Sequence, residues 1–212
     1  STGLGVEVED RELSTYEFLV EGVPLEKVTM ETEISGLNIV PATIDLSSAD
    51  IDLISNEKRS HLLHAALRKK QQDKQKYDYI LIDCPPSLNI LTVNAMVASH
   101  SVLIPLQSEF FALEGLSQLL LTVKEVRQTA NENLRVEGIV LTMFDGRNNL
   151  SKQVEADARS NLRELVFKTI IPRNVRVSEA PSYSMPVLTY DPSSKGSKAY
   201  MSLAKELLAN NS

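Results

Sequence analysis

A single carboxylate, Asp83, ends a short apolar run that includes Ile80, Leu81 and Ile82. The run predicts a buried parallel strand over 77–83, because both of its faces are apolar. Two prolines follow Cys84, and proline cannot continue a sheet ladder, so the strand should stop there. Asp83 is therefore expected at the carboxyl end of a central strand, the edge at which open α/β sheets bind ligands. A carboxylate there suits magnesium bound to phosphates, or it caps the next turn. This segment alone leaves both interpretations open.

Two further polar turns follow predicted strands and could meet a ligand at the same edge. One turn ends a predicted strand over 136–143, and the other ends a predicted strand over 167–171. Asn and Pro are also common in ordinary turns, so a structural interpretation is equally available from the residues. The candidate residues are Thr142, Met143, Phe144, Pro172, Arg173 and Asn174.

Arg147 and Arg176 stand in predicted loops, where a permanently charged guanidinium is suited to phosphate contact. Exposed arginines are also common on any protein surface, so the residues alone do not assign them a ligand. A denser basic run from Arg68 to Lys76 lies where a helix should end, and we interpret it as a solvated helix terminus. His61 and His64 are three residues apart, but no third metal ligand accompanies them.

The elements that must position these residues alternate between strand and helix, which predicts a mostly parallel sheet. We predict an α/β, doubly wound fold with helices on both faces, forming one domain over 1–212. Ser14 and Glu17 fit a capping box that opens a short helix ending near Gly22. Further helices are predicted from Ser47 or Ser48 to about Lys70 and over 89–98, 116–126, 149–165 and 200–208, and further strands over 37–41 and 101–105.

The bulk composition fits a globular protein and narrows the class. The 212 residues are 42% hydrophobic and 24% charged, and the longest apolar run is far shorter than a membrane span. The one cysteine, Cys84, excludes an internal disulfide and should be a small buried residue at the strand end. The net charge is −6, but residues 1–57 hold 13 acids and 2 bases while residues 143–176 hold 7 bases and 4 acids. A local basic face can bind phosphates on an acidic protein.

Four segments, in this order, resemble signatures of the ParA/Soj family of partitioning ATPases, which have a deviant phosphate loop. They are Tyr77–Ser87 with its Asp-Cys-Pro-Pro sequence, Phe111–Leu116, Thr142–Arg147, and Ile171–Pro181, and together they span most of the chain. Asn89 stands where many relatives carry glycine, a mild departure. Glu114 belongs to the second segment, and we expect it to be structural rather than catalytic.

The resemblance implies specific roles. Asp83 would be the Walker B residue that holds Mg²⁺ through a water, and Pro85 and Pro86 would form the switch that senses the γ-phosphate. The turns at 142–144 and 172–174 would flank the adenine of ATP, with Pro172 and Asn174 as the main contacts. Arg147 and Arg176 would hold non-specific DNA. The implied partners are a ParB-type centromere-binding protein and a second copy of the chain, in the cytoplasm on the nucleoid.

The family's glycine-rich phosphate loop is absent from these residues. None of the eight glycines is followed by lysine, so no G-x-x-x-x-G-K-[ST] motif occurs. We expect an upstream segment of roughly 40 residues, about one βαβ unit and the first strands of the sheet, to carry it. Without that lysine, residues 1–212 are expected to be inactive alone.

Three alternatives stay open. A MinD-like membrane-cycling ATPase shares the fold, but it needs a C-terminal amphipathic anchor with basic and bulky apolar residues. Residues 204–212 are too few, and too weakly basic and apolar, to match such an anchor. An iron–sulfur relative needs cluster cysteines, and one cysteine makes that a poor fit. The third alternative is a non-hydrolytic interaction fragment.

Overall fold

The computed structural model of the chain describes residues 1–54, 56–69, 77–85 and 87–211. They form two compact units, residues 1–100 with 124–134 and residues 101–123 with 135–212, which are described separately. The strands are β1 Met30–Glu31, β2 Asn38–Ile39, β3 Ser101–Gln107, β4 Arg135–Phe144 and β5 Val166–Pro172. The α-helices are α1 Leu25–Val28, α2 Ala49–Asp52, α3 Leu62–Lys69, α4 Ile90–Ala98, α5 Ala112–Thr129, α6 Asn149–Leu162, α7 Val175–Glu179, α8 Val187–Tyr190 and α9 Lys195–Asn210.

The second unit is built on a parallel sheet in the order β3-β4-β5. Alternate residues of β4 face opposite sides, as a strand requires. Ile139 and Leu141 belong to a core cluster with residues of α5 and α6, whereas Val140 packs with Leu203 of α9. Helices therefore cover both faces of the sheet, and the prediction of an α/β fold is confirmed.

The outer strand of this sheet is tied to the last helix by one carboxylate. Glu206 of α9 accepts the backbone N–H groups of Lys168 and Thr169 at 2.7 and 2.9 Å. These residues lie where the β4–β5 register shifts, between the pairs Ile139–Val166 and Leu141–Ile170. Glu206 thus accepts hydrogen bonds from two consecutive N–H groups at a ladder irregularity, where β4 does not pair with them.

The predicted capping box is present in the first unit. The Ser14 N–H and hydroxyl both donate to Glu17 at 2.7 Å, and a π-helix, Glu17–Glu21, follows. Gly22 ends it in the left-handed conformation at φ 72°. Leu19, Ala49 and Leu53 form a hydrophobic core cluster in this unit.

The predicted long helix from about Ser48 to Lys70 is wrong, because the structure has α2 and α3 as separate helices. The Asn56 side chain accepts the N–H of Lys58 at 2.9 Å between them. Such a local side-chain bond offers the backbone an alternative to the helical ladder, so the helix is interrupted.

The predicted strand over 77–83 is also wrong, since these residues have no strand structure and belong to neither sheet. Their apolar side chains are exposed, Leu81 to 85%. An apolar run becomes a strand only when neighbouring strands complete its hydrogen bonds. Neither sheet in the described part of the chain supplies them here.

Among the described residues, no helix combines the length and the apolar character needed to cross a bilayer.

Candidate functional site

Asp83 lies in an exposed segment of the first unit that has no regular secondary structure, with Cys84 and Pro85 beside it. Cys84 is exposed, so the prediction of a buried thiol is wrong. The cause is the missing sheet contact, because a strand-end side chain is buried only when the strand itself is covered. Pro86 lies outside the described residues.

Asp83 fits magnesium only as a single ligand. Within the described ranges, no group of three or more His, Cys, Asp or Glu side chains gathers that could hold a metal. Mg²⁺ in phosphate-transfer sites is held by one or two carboxylates together with phosphates and water rather than by an all-protein cage. An exposed carboxylate such as Asp83 is compatible with that donor set.

The two turns predicted to contact the nucleotide lie together at the carboxyl edge of the second unit's sheet. Phe144 and Pro172, the last residues of β4 and β5, are register partners. The N–H of Arg173 donates to the carbonyl oxygen of Phe144 at 3.0 Å. These contacts continue the pairing of the strands into the loops, so residues 142–144 and 172–174 form one surface.

Met143 stands at this edge with φ 53°, in the left-handed region. Non-glycine residues are uncommon there, and such strain is found most often at functional sites. The neighbouring Thr142 carbonyl accepts both the N–H and the hydroxyl of Ser108, each at 3.2 Å, which joins the end of β3 to the same edge.

A polar cavity of about 90 Å³ opens between these loops. Sequence reasoning found only two of its lining residues, Met143 and Arg173. The others are Ser108, Glu109, Asp145, Asn148 and Ser151. All five lie within a few residues after β3 or β4, or in the first turn of α6. Their position relative to the predicted strands and helix is the sequence signal that could have identified them.

A larger, mostly apolar groove of about 680 Å³ runs along β3 and the start of α5. Phe110 and Phe111 line it, 72% and 74% exposed, with their rings edge to face at a centroid distance of 5.1 Å. Glu114 is exposed in the first turn of α5.

Asn174 caps α7, and its side-chain oxygen accepts the N–H of Val177 at 3.4 Å. The first turn of α9 is close behind it, since a Cβ on Gly196 would lie 3.2 Å from that oxygen. The position of Asn174 is therefore set by two helices.

Arg147 is paired with the carboxylate two residues before it. Its Nε and Nη2 donate to the two oxygens of Asp145 at 3.1 and 3.0 Å, and its backbone N–H also donates to Asp145 at 3.0 Å. The Arg147 side chain is 92% exposed. These bonds lower the pKa of Asp145 to about 2, with a smaller contribution from the charge of Arg173.

Arg176 lies between two acids. Its Nη1 donates to Glu179 at 2.8 Å, and its Nε is 3.5 Å from an oxygen of Asp191. The Arg176 side chain is 52% exposed. Both predicted DNA contacts are therefore reachable from solvent and already engaged by carboxylates.

The two histidines have separate contacts. His61 Nδ1 is 2.9 Å from the Ser60 hydroxyl, and His64 Nδ1 is 3.2 Å from the Val97 carbonyl oxygen. Of the basic run, Arg68 is an exposed residue of α3 and Lys69 is its last residue, while 70–76 fall outside the described residues.

Comparison with known proteins gives consistent matches. The sequence model of a family described as an AAA domain matches residues 1–136. The chain is 48% identical over 210 residues to the sporulation initiation inhibitor protein Soj of Bacillus subtilis, covering 99% of this chain and 82% of Soj. It is also 48% identical over 209 residues to the chromosome partitioning protein ParA of Caulobacter vibrioides, covering 99% and 78%.

Two solved structures share the fold. Cobyrinic acid a,c-diamide synthase from Mycobacterium smegmatis, with a bound ATP analogue and magnesium, has a TM-score of 0.79 at 33% identity, covering 97% of this chain and 75% of that one. The cell division ATPase MinD of Pyrococcus furiosus has a TM-score of 0.77 at 23% identity, covering 99% and 80%, and supports the fold alone. With 48% identity to Soj and ParA over almost its whole length, the chain belongs to the ParA/Soj family of chromosome-partitioning proteins.

Proposed function

We propose that the chain belongs to an ATPase that partitions a chromosome or plasmid, forming an ATP-dependent dimer on non-specific DNA. The observation that carries the proposal is the joined pair of loops at the sheet edge, fixed by the bond from Arg173 N–H to the Phe144 carbonyl. Parallel sheets bind ligands at this edge. Family membership supports the same proposal, since its close relatives are named for chromosome partitioning.

In this proposal the nucleotide-site residues have separate roles. Residues 142–144 and 172–174 flank the adenine, with Pro172 and Asn174 in contact with it. Asp83 holds Mg²⁺ through a water, and Pro85 and Pro86 sense the γ-phosphate. Bound magnesium neutralises charge on the phosphates during transfer. The M. smegmatis structure, with its ATP analogue and magnesium, supports this choice of ligands.

We propose that residues 1–212 on their own bind ATP far more weakly than a family member that has its phosphate loop, and that they do not hydrolyse it. No glycine of this sequence is followed by lysine, so these residues lack the backbone N–H groups and the lysine of a G-x-x-x-x-G-K-[ST] phosphate loop. A micromolar ATP affinity of residues 1–212 alone, measured by calorimetry, would contradict this.

The proposed DNA contacts are Arg147 and Arg176, acting through charge on the cytoplasmic nucleoid. A ParB-type partner is proposed to stimulate hydrolysis and thereby release the dimer from DNA. Phosphate contacts carry no sequence information, so these arginines should add affinity without sequence preference.

The test uses the native gene product with ATP and magnesium. Arg147→Glu and Arg176→Glu are expected to keep ATP-dependent dimerisation and to lose DNA binding, with the salt slope falling by about one for each lost phosphate contact. Asp83→Ala is expected to abolish hydrolysis. Undiminished DNA binding by both arginine variants, or equal binding without ATP, would remove these arginines from the site.

The same experiment separates the alternatives. If the ATP-bound protein sediments with anionic lipid vesicles and does not bind DNA, a MinD-like membrane cycle is favoured. Dimerisation without any hydrolysis, even with the partner present, would favour an interaction protein.

A further inference from the structure

We propose that Asp145 and Glu179 act as intramolecular competitors of DNA phosphate, holding Arg147 and Arg176 until DNA displaces them. The inference rests on the proposed DNA role of the two arginines and adds a regulatory element to the same surface. It concerns how weak the DNA contact is, rather than whether it exists.

Asp145 binds the Arg147 guanidinium with the same geometry that a phosphate group would use. Arginine recognises carboxylate and phosphate alike, through two parallel N–H bonds. Asp145 accepts such a fork from Nε and Nη2 of Arg147, at 3.1 and 3.0 Å. A phosphate that binds Arg147 in the same way must therefore replace the carboxylate.

Asp145 is the fixed member of this pair and Arg147 the mobile one. The carboxylate also accepts the backbone N–H of Arg147, and the Asp145 carbonyl accepts the N–H of Asn148 at 2.9 Å, so the turn anchors it. Its side chain is 31% exposed, whereas that of Arg147 is 92% exposed. The guanidinium can swing to DNA and return while Asp145 stays in place.

The second arginine is also held by carboxylates, on a different element and without the two-bond fork. Glu179 accepts Arg176 Nη1 at 2.8 Å along α7, and Asp191 lies 3.5 Å from Nε. The Tyr190 hydroxyl is 3.5 Å from the same Glu179 oxygen. Two carboxylates around one guanidinium reduce the local positive potential that a phosphate would meet.

This pairing makes DNA binding weaker and release easier. When the arginine dissociates from a phosphate, it can pair immediately with the neighbouring carboxylate. The guanidinium is therefore never left without an ion partner during release. The size of the effect is set by solvent screening, and exposed ion pairs of this kind change an equilibrium by about two- to five-fold. A partitioning protein that must leave DNA repeatedly gains from such a partner.

The test is a DNA titration of the native gene product with ATP, at several salt concentrations. Asp145→Asn is the chosen variant, because its side-chain oxygen can still accept the Arg147 backbone N–H and preserve the turn. Asp157→Asn, an exposed acid on α6, changes the net charge equally and serves as the control. We expect Asp145→Asn to raise affinity about two- to five-fold over that control at low salt, with the gain shrinking as salt rises.

A double-mutant cycle identifies the mechanism. The gain from Asp145→Asn must vanish when Arg147→Ala is also present, because the carboxylate then has no arginine to release. Glu179→Gln should give a separate gain that vanishes with Arg176→Ala, so the proposal can be judged even if Asp145→Asn folds poorly. Equal binding by Asp145→Asn, Glu179→Gln and the control would overturn it.

The outcomes also separate this inference from the proposed function. If Arg147→Ala and Arg176→Ala both leave DNA binding unchanged, the proposed DNA contacts are wrong. If these variants weaken binding while the carboxylate variants match the control, the DNA contacts stand and only the competition is wrong.

Discussion

The N–H of Arg173 donates to the carbonyl oxygen of Phe144 at 3.0 Å, one step beyond the register pair of Phe144 with Pro172. The loops after β4 and β5 therefore leave the sheet as a joined pair. A ligand at this edge meets a surface whose main chain is already fixed, which lowers the ordering cost of binding. Asn174 and Met143 lie on that surface, and the following predictions concern it and its supports.

Gly196→Ala should lower the free energy of unfolding by about 1–3 kcal/mol, the usual cost of overpacking. The new Cβ would lie 2.4 Å from Val177 Cγ2, a stiff β-branched side chain, and 3.2 Å from Asn174 Oδ1. Because Asn174 must shift, nucleotide affinity of the native gene product should fall as well. Gly115→Ala is the control, since its Cβ would meet nothing within 4 Å and alanine favours the helix by about 1 kcal/mol. Urea unfolding and a nucleotide titration measure both effects, and a neutral Gly196→Ala would contradict the packing.

Met143→Val should destabilise the protein by roughly 1–2 kcal/mol, while Met143→Gly should be close to neutral. A β-branched residue is strongly disfavoured at φ 53°, and glycine is not. Thermal unfolding of the two variants gives the comparison. If Met143→Val is the more stable of the two, the left-handed conformation is not what the fold requires there.

Asp145 should titrate near pH 2 in the native protein and return towards its ordinary pKa of 3.8 in Arg147→Ala. The hydrogen-bonded guanidinium stabilises the carboxylate, so the folded pKa is lowered. The stability that this pair contributes is therefore present above pH 3.8 and is lost as the pH falls through about 2. NMR titration of the carboxyl carbon follows the group directly. An unchanged pKa in Arg147→Ala would show that the pair does not persist in solution.

Glu206→Ala should cost about 1–3 kcal/mol, because the N–H groups of Lys168 and Thr169 lose their acceptor. Burial alone would raise the pKa of Glu206, but the hydrogen bonds from Thr169 and Lys168 outweigh it and lower the pKa below 4.5. The native protein should therefore lose this contribution as the pH falls from 4.5 through the lowered folded pKa, whereas Glu206→Ala should not. Urea unfolding at pH 7 and pH 3.5 tests this, and equal pH dependence of both proteins would rule it out.

The local sequence pattern was sufficient to predict most of the parallel sheet of the second unit and some of the helices. The strands at 101–107, 135–144 and 166–172, the helix over 90–98 and the Ser14–Glu17 box follow from apolar periodicity and short-range hydrogen bonds. Their determinants lie within a few residues of one another, so the sequence specifies them. The loops that end β4 and β5 were found for the same reason, because a strand's end locates its loop.

Contacts between distant residues decided the rest. Residues 77–83 have a strand's composition but no strand structure, because a strand exists only when another segment completes its ladder. The side-chain pairing of Arg176 with Asp191 depends on how α7 and α8 fold together, and the joining of Phe144 to Arg173 depends on strand order. The sequence by itself determined which residues can form elements and carry charge. Only the tertiary structure decided which of them meet, because hydrogen bonds and ion pairs require a partner at about 3 Å.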